Sequence, residues 1–118
     1  MTSVVLEFER GPLGYIGTTY GIPKVFNTAA FGTGGNVWSE EEGKRLFVQQ
    51  VGEQARKEVP VDAGDGYADE LAEFDRCIRN GEAPEVGGPE GTEVVAVLEA
   101  VIESVNTGKT VEVSEFRS

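Results

Sequence analysis

The residues able to do chemistry in this chain are informative first through what they exclude. There is no histidine, so the commonest general base and the commonest metal ligand are both missing. Nucleophilic arrangements of the Ser-His or Cys-His kind are therefore excluded, and a zinc ion would have only carboxylates as ligands. Cys77 is the one cysteine. It borders the apolar stripe of an expected helix, where a buried inert thiol fits better than a reactive one. Carboxylates are plentiful, but Glu40-Glu41-Glu42 and Asp69-Glu70 read as solvated faces. A paired-carboxylate enzyme needs two of them in one cleft with separated pKa values.

Three glycine-rich stretches invite ligand readings. Gly32-Thr33-Gly34-Gly35 lacks the third glycine of a dinucleotide fingerprint. Asn36-Val37-Trp38 after it looks extended where that fingerprint needs a helix, so a hairpin turn is expected. Asp62-Ala63-Gly64-Asp65-Gly66 places glycines where a calcium loop needs oxygen ligands, and reads as a turn and helix cap. Gly87-Gly88-Pro89-Glu90-Gly91 precedes a helix, but no strand leads into it and an acidic residue already sits inside, which argues against anion binding. Tyr20 and Tyr67 each stand at an element boundary beside a glycine. An aromatic ring with a polar tip suits a pocket wall, but an ordinary core edge is the better reading of these residues alone.

The elements that would position these residues change character halfway along the chain. Val4, Leu6 and Phe8 alternate with Glu7 and Glu9, the pattern of a half-solvated antiparallel strand. A turn at Arg10–Gly14 and a return over Tyr15–Tyr20 complete a hairpin. Further extended stretches are expected over Lys24–Phe31, Asn36–Trp38, Lys44–Val51 and Gln54–Val61, about five strands in this half. Tyr67, Leu71, Phe74 and Ile78 then fall at helical spacing, with Asp65 as N-cap and Gly81 as the stop. A second helix carries Val94, Leu98, Val101 and Val105 on one line, and Asn106-Thr107-Gly108 ends it. Thr110–Val113 reads as a closing strand.

The chain has 118 residues, 39% of them hydrophobic, enough for one domain with one core. Its net charge is −11, from 21 acidic against 10 basic residues. A nucleic-acid partner requires a basic face, so none is expected. No apolar run approaches the roughly 20 residues that span a bilayer. Met1-Thr2-Ser3 has no basic start of the signal-peptide kind. The single cysteine suits a reducing cytoplasm.

Three stretches together resemble the C-terminal domain of the glucose–fructose oxidoreductase/inositol dehydrogenase (Gfo/Idh/MocA) family. Phe31-Gly32-Thr33-Gly34-Gly35-Asn36-Val37 resembles the family's G-T-x-G-x-V/L turn between strands. Tyr67-Ala68-Asp69-Glu70-Leu71-Ala72-Glu73-Phe74, with Ile78 and Gly81, is similar to the helix pattern Y-x-x-E-L-x-x-F followed by I-x-x-G. Pro84 through Gly108 and Val111 resembles the closing run P-x-x-G-x-x-G, helix, E-S-x-x-T-G, V-x-V, with Glu103-Ser104 and Thr107-Gly108 in place.

The resemblance covers nearly the whole chain and carries specific expectations. Such enzymes bind NAD(P) on an N-terminal Rossmann domain that bears a catalytic lysine in E-K-P. A D-x-x-x-H helix at the start of the second domain supplies the acid–base histidine. This chain has neither motif, so the resemblance implies the later part of the second domain, 1–118 as one domain without the Rossmann half. The implied fold is α+β, an open, largely antiparallel mixed sheet of about six strands with two helices on one face. The implied role is a wall of the substrate site and a homo-oligomer contact through the open sheet face, with the missing Rossmann domain as a further partner. Tyr20 and Tyr67 resemble positions whose side chains reach the substrate. The chain itself is expected to hold no catalytic residue, no metal and no cofactor, with NAD(P) implied only for the full-length parent. A free-standing binding or assembly module that partners a larger enzyme is the other reading.

Overall fold

The computed structural model describes residues 1–117. The order of elements is β1 (Thr2–Glu7), β2 (Leu13–Thr18), β3 (Asn27–Gly32), β4 (Gly35–Glu40), β5 (Arg45–Gln50), β6 (Lys57–Val59), α1 (Gly66–Asn80), α2 (Gly88–Thr107) and a short 3-10 turn over Val113–Phe116. The class is α+β, as expected. The strands, antiparallel at every pairing, divide into a two-stranded sheet β1-β2 and a four-stranded sheet in the order β3-β4-β5-β6. The chain forms two compact units. One comprises Met1–Tyr20 with the described residues from Ala72 onward, and the other comprises Gly21–Leu71.

In the first unit the hairpin β1-β2 pairs Val4 with Ile16 and Leu6 with Gly14. Gly11, at φ +97, makes the turn, with its N–H donating to the Phe8 carbonyl at 2.8 Å. Only glycine adopts that backbone readily. Both helices are capped locally. The Asp65 carboxylate accepts the N–H groups of Tyr67 and Ala68 at 3.1 and 3.4 Å, as an N-cap should. Beyond α1, Glu82 N–H donates back to the Cys77 carbonyl at 3.0 Å around Gly81, the usual left-handed stop.

α2 begins earlier than its apolar line suggests. Pro89 sits in its first turn, and the Glu90 carboxylate reaches back to the Gly87 N–H at 2.8 Å. This is the carboxylate half of a capping box. Its end is sealed by Gly108, at φ 67, whose N–H donates to the Ser104 carbonyl at 2.8 Å.

Two expectations are corrected at the residue level. Thr110–Val113 is not a strand. The segment ends in a 3-10 turn against α2, where Arg117 pairs with Glu93 at 3.0 Å. β-branched residues favour an extended backbone, but a strand also needs a partner edge, and none is paired with this segment among the described residues. Cys77 is buried as expected, but the apolar stripes of the two helices are not what is buried. Cys77 is the buried residue of α1, and Ala96 and Ala100 are those of α2, whereas Leu71, Phe74, Ile78, Val94 and Leu98 are exposed.

The second unit is a meander. Thr33-Gly34 joins β3 to β4 as a two-residue hairpin turn, with Gly32 opposite Gly35. Gly35 lies at φ +152, and a Cβ there would come within 2.5 Å of the Gln49 carbonyl oxygen on β5. Gly34 faces open space. Gly35→Ala is therefore expected to lower the stability of this unit by about 1–3 kcal/mol through overpacking against backbone. Gly34→Ala should cost less than about 0.5 kcal/mol. Urea unfolding followed by Trp38 fluorescence measures both, and equal effects would refute the close approach.

Candidate functional site

In the four-stranded sheet, directly opposite residues share a face. The register places Ala29, Trp38, Phe47 and Glu58 in one row across the sheet. Phe31 and Arg45, two positions along their strands, lie on that same face. Phe47 is only 6% exposed, and the covering groups are two arginines. The Arg56 guanidinium lies 3.9 Å from the centre of its ring, and the Arg45 guanidinium 4.8 Å. Arg56 also lies 5.7 Å from the Trp38 ring, while Phe31 meets Trp38 edge-on at 5.8 Å and 79°.

Each cation is also neutralised. Arg45 donates from Nε and Nη2 to the two Glu58 oxygens at 2.8 and 3.0 Å, a two-pronged pair. Arg56 donates to Glu40 at 2.6 Å. Glu58 is held below the usual carboxylate range by that hydrogen bond from Arg45. Glu53 is lowered in the same direction by Lys57 and then by the Gln50 N–H. This arrangement is a closed cation–aromatic platform with no free nucleophile and no free base.

The opposite face of the same sheet is different in kind. Ala30, Val37 and Val48 form one row, and Leu46 lies opposite Val59. It carries no charged residue between Ala30 and Val48, and Lys57 enters only at the far end of that row. Val37 and Val59 remain 40% and 38% exposed. On the first face the arginines cover Phe47 while Phe31 stays exposed; the second is a mainly apolar surface on which Leu46 and Val48 are half-buried and Val37 and Val59 partly exposed.

Glu40, Glu41 and Glu42 border a shallow hollow of about 360 Å³ with Lys24, Val25, Phe26, Asn27 and Lys44. Glu42 pairs with Lys24 at 2.5 Å, which lowers its carboxyl pKa. Glu40 is committed to Arg56. Glu41 lies 3.7 Å from the Arg45 guanidinium, so all three carboxylates are matched by cations, and among the described residues no group of three acidic or cysteine side chains is gathered as for a metal. Cys77 is buried, and that burial pushes its thiol pKa up, which keeps it protonated and unreactive.

The two tyrosines singled out by the sequence both stand at element boundaries. Tyr20 follows the end of β2 and is 94% exposed. Tyr67 is the second residue of α1 and is 83% exposed. They belong to different units. Neither lines the hollow of the second unit or the smaller one of the first, which is formed by Met1–Ser3, Tyr15 and Gly17–Thr19. The platform of Arg45, Arg56, Trp38 and Phe47 was not singled out by sequence reasoning. Its one local signal is the alternation Arg45, Phe47 along β5. Arg56 reaches the same ring from the connection before β6, which no spacing along the chain announces.

The three glycine-rich stretches are structural. Gly32–Gly35 is the hairpin turn. Asp65 caps α1, and Asp62 accepts the Gly64 N–H at 3.3 Å. At the start of α2 the Gly87 N–H is taken by Glu90, and the same carboxylate is lowered by backbone N–H groups, its own first and then that of Gly87. Both helix N-termini thus already hold a carboxylate of this chain, which does not fit a dinucleotide pyrophosphate.

The platform has a defined pH response. Carboxylates with depressed folded-state pKa values stabilise above their unfolded value, and that stability is lost as pH falls through the folded one. Stability of the sheet is therefore expected to be steady above about pH 5 and to fall below the ordinary glutamate value of about 4.3. Arg56→Ala should cost about 1 kcal/mol and change the Trp38 emission. Denaturant titrations read by that emission across pH check both, and an emission unaffected by Arg56→Ala would contradict the stacking.

The comparisons with known proteins agree with this architecture. Residues 23–113 match the family described as "Oxidoreductase family, C-terminal alpha/beta domain". No curated protein and no solved structure matches the chain. The match runs from before β3 through both helices, so it takes in the whole four-stranded sheet and its hairpin turn. With the glycine turn, the Tyr67–Phe74 helix and the closing run all inside or beside that span, the chain belongs to the C-terminal domain family of the Gfo/Idh/MocA oxidoreductases.

Proposed function

We propose that this chain is the substrate-side and oligomerisation part of an NAD(P)-dependent oxidoreductase. In the whole enzyme a hydride would move to or from a sugar, a cyclitol or a similar polyol. The observation that carries the reading is the family match over residues 23–113. It falls on an α+β domain that has no histidine and, among the described residues, no metal-ligand cluster. A hydride transfer of this kind needs a nicotinamide to exchange the hydride and a group to exchange the hydroxyl proton. The nicotinamide is assigned to a Rossmann half that partners this domain and the proton-exchanging histidine to the D-x-x-x-H helix that opens the second domain of such enzymes, and this chain alone is not catalytic.

Within this reading the residues have distinct roles. Tyr20 and Tyr67 present exposed phenol groups that are free to donate to, or accept from, substrate hydroxyls. The open face around Val37, Leu46, Val48 and Val59 is the homo-oligomer contact. Its opposite face, sealed by Arg45 and Arg56 over Phe47, remains toward solvent. Among the described residues no helix is long and apolar enough to cross a membrane. The strong negative charge disfavours a nucleic-acid partner, and the lone reduced cysteine suits the cytoplasm.

The occupied helix N-termini support the assignment of NAD(P) to another domain. Isothermal titration of the isolated chain with NADH is expected to give no saturable heat. A saturable binding isotherm would overturn the division of labour proposed here.

A further inference from the structure

We propose that the outer edge of β3 is a strand-pairing site for β3 of a second copy of this chain. β3 is the outermost strand of its sheet and is paired only with β4. Every second residue of such a strand turns its N–H and C=O away from its one neighbour, a row of hydrogen-bonding groups that fits an extended backbone. All six residues, Asn27-Thr28-Ala29-Ala30-Phe31-Gly32, are exposed. The strand holds no charge and no proline, the two devices that usually block an edge.

The other edge of this sheet is guarded. β6 has only three residues, and two of them are charged and bound in ion pairs, Lys57 with Glu53 and Glu58 with Arg45. The contrast within one sheet marks β3 as the side left open to pairing. β2 is also uncharged, but it contains two glycines and sits in a two-stranded sheet, a weaker template.

Charge and register select the occupant. With a net charge of −11, two copies repel wherever carboxylates meet, and β3 contributes none. Opposed residues must share a face, so antiparallel self-pairing about a two-fold axis can set Ala29 against Ala29 and Asn27 against Phe31. No like charges are brought together, and two four-stranded sheets become continuous. The pairing uses the backbone edge, and does not rest on the contact through the open face proposed above.

Amide hydrogen exchange of the full chain, read residue by residue by NMR at low and high micromolar concentration, tests this. At the higher concentration alternate amides of residues 27–32 should slow by at least about tenfold, in a period of two, while those of β6 stay unchanged. Burial of a face alone gives no such alternation. Ala29→Lys, which sets two cations opposite each other, should abolish the effect. Exchange over residues 27–32 independent of concentration overturns the proposal, as does a slowing that persists undiminished in a folded Ala29→Lys chain. Should that variant not fold, the period-two slowing in the unaltered chain decides alone.

Discussion

One ring organises the four-stranded sheet. The guanidinium groups of Arg45 and Arg56 both approach the Phe47 ring, which lies opposite Trp38, and Phe47 is the buried residue of its unit. Exposed ion pairs contribute little individually. Here Glu58 and Glu40 do more than pair: they hold two cations within 3.9 and 4.8 Å of the centre of an aromatic ring that would otherwise be wet. That arrangement makes the sheet two-sided. One face has its central ring covered by the chain's own charged groups, and the other is mainly apolar, with Val37 and Val59 partly exposed. The asymmetry links packing to function, because a contact surface has to be apolar, available and backed by something rigid.

Features decided within a few residues were legible in the sequence. Asp65 and Gly81 bracket α1 because capping is local chemistry. Gly32–Gly35 reads as a hairpin turn because no helix follows it. What escaped depends on contacts distant along the chain. Thr110–Val113 has strand propensity but pairs with no strand among the described residues, and it ends in a 3-10 turn beside the Arg117–Glu93 ion pair. Periodicity showed that α1 has an apolar stripe but not what covers it, and the buried positions proved to be the small ones, Cys77, Ala96 and Ala100. The cation–aromatic platform joins Arg56 to residues of two strands, a meeting fixed by register alone.

The candidate site follows the same logic. Tyr20 and Tyr67 were recognisable as aromatic residues at element boundaries, and both stand there, exposed. A substrate site assembled from several parts needs its other walls, and local pattern cannot supply them. The absence of histidine, by contrast, is a property of composition and needed no structure. Membership of the oxidoreductase C-terminal family gives these separate facts one sense. In the proposed role of pocket wall and subunit contact, such a domain can do without acid–base groups of its own.

The proposed role in assembly has its most direct test in the molar mass of the isolated chain by light scattering, across a micromolar concentration series at neutral pH. An oligomerisation domain gives a mass of twice that of the chain or a higher multiple, and disperses toward the single-chain mass on dilution. A mass equal to that of one chain at every concentration would contradict that role.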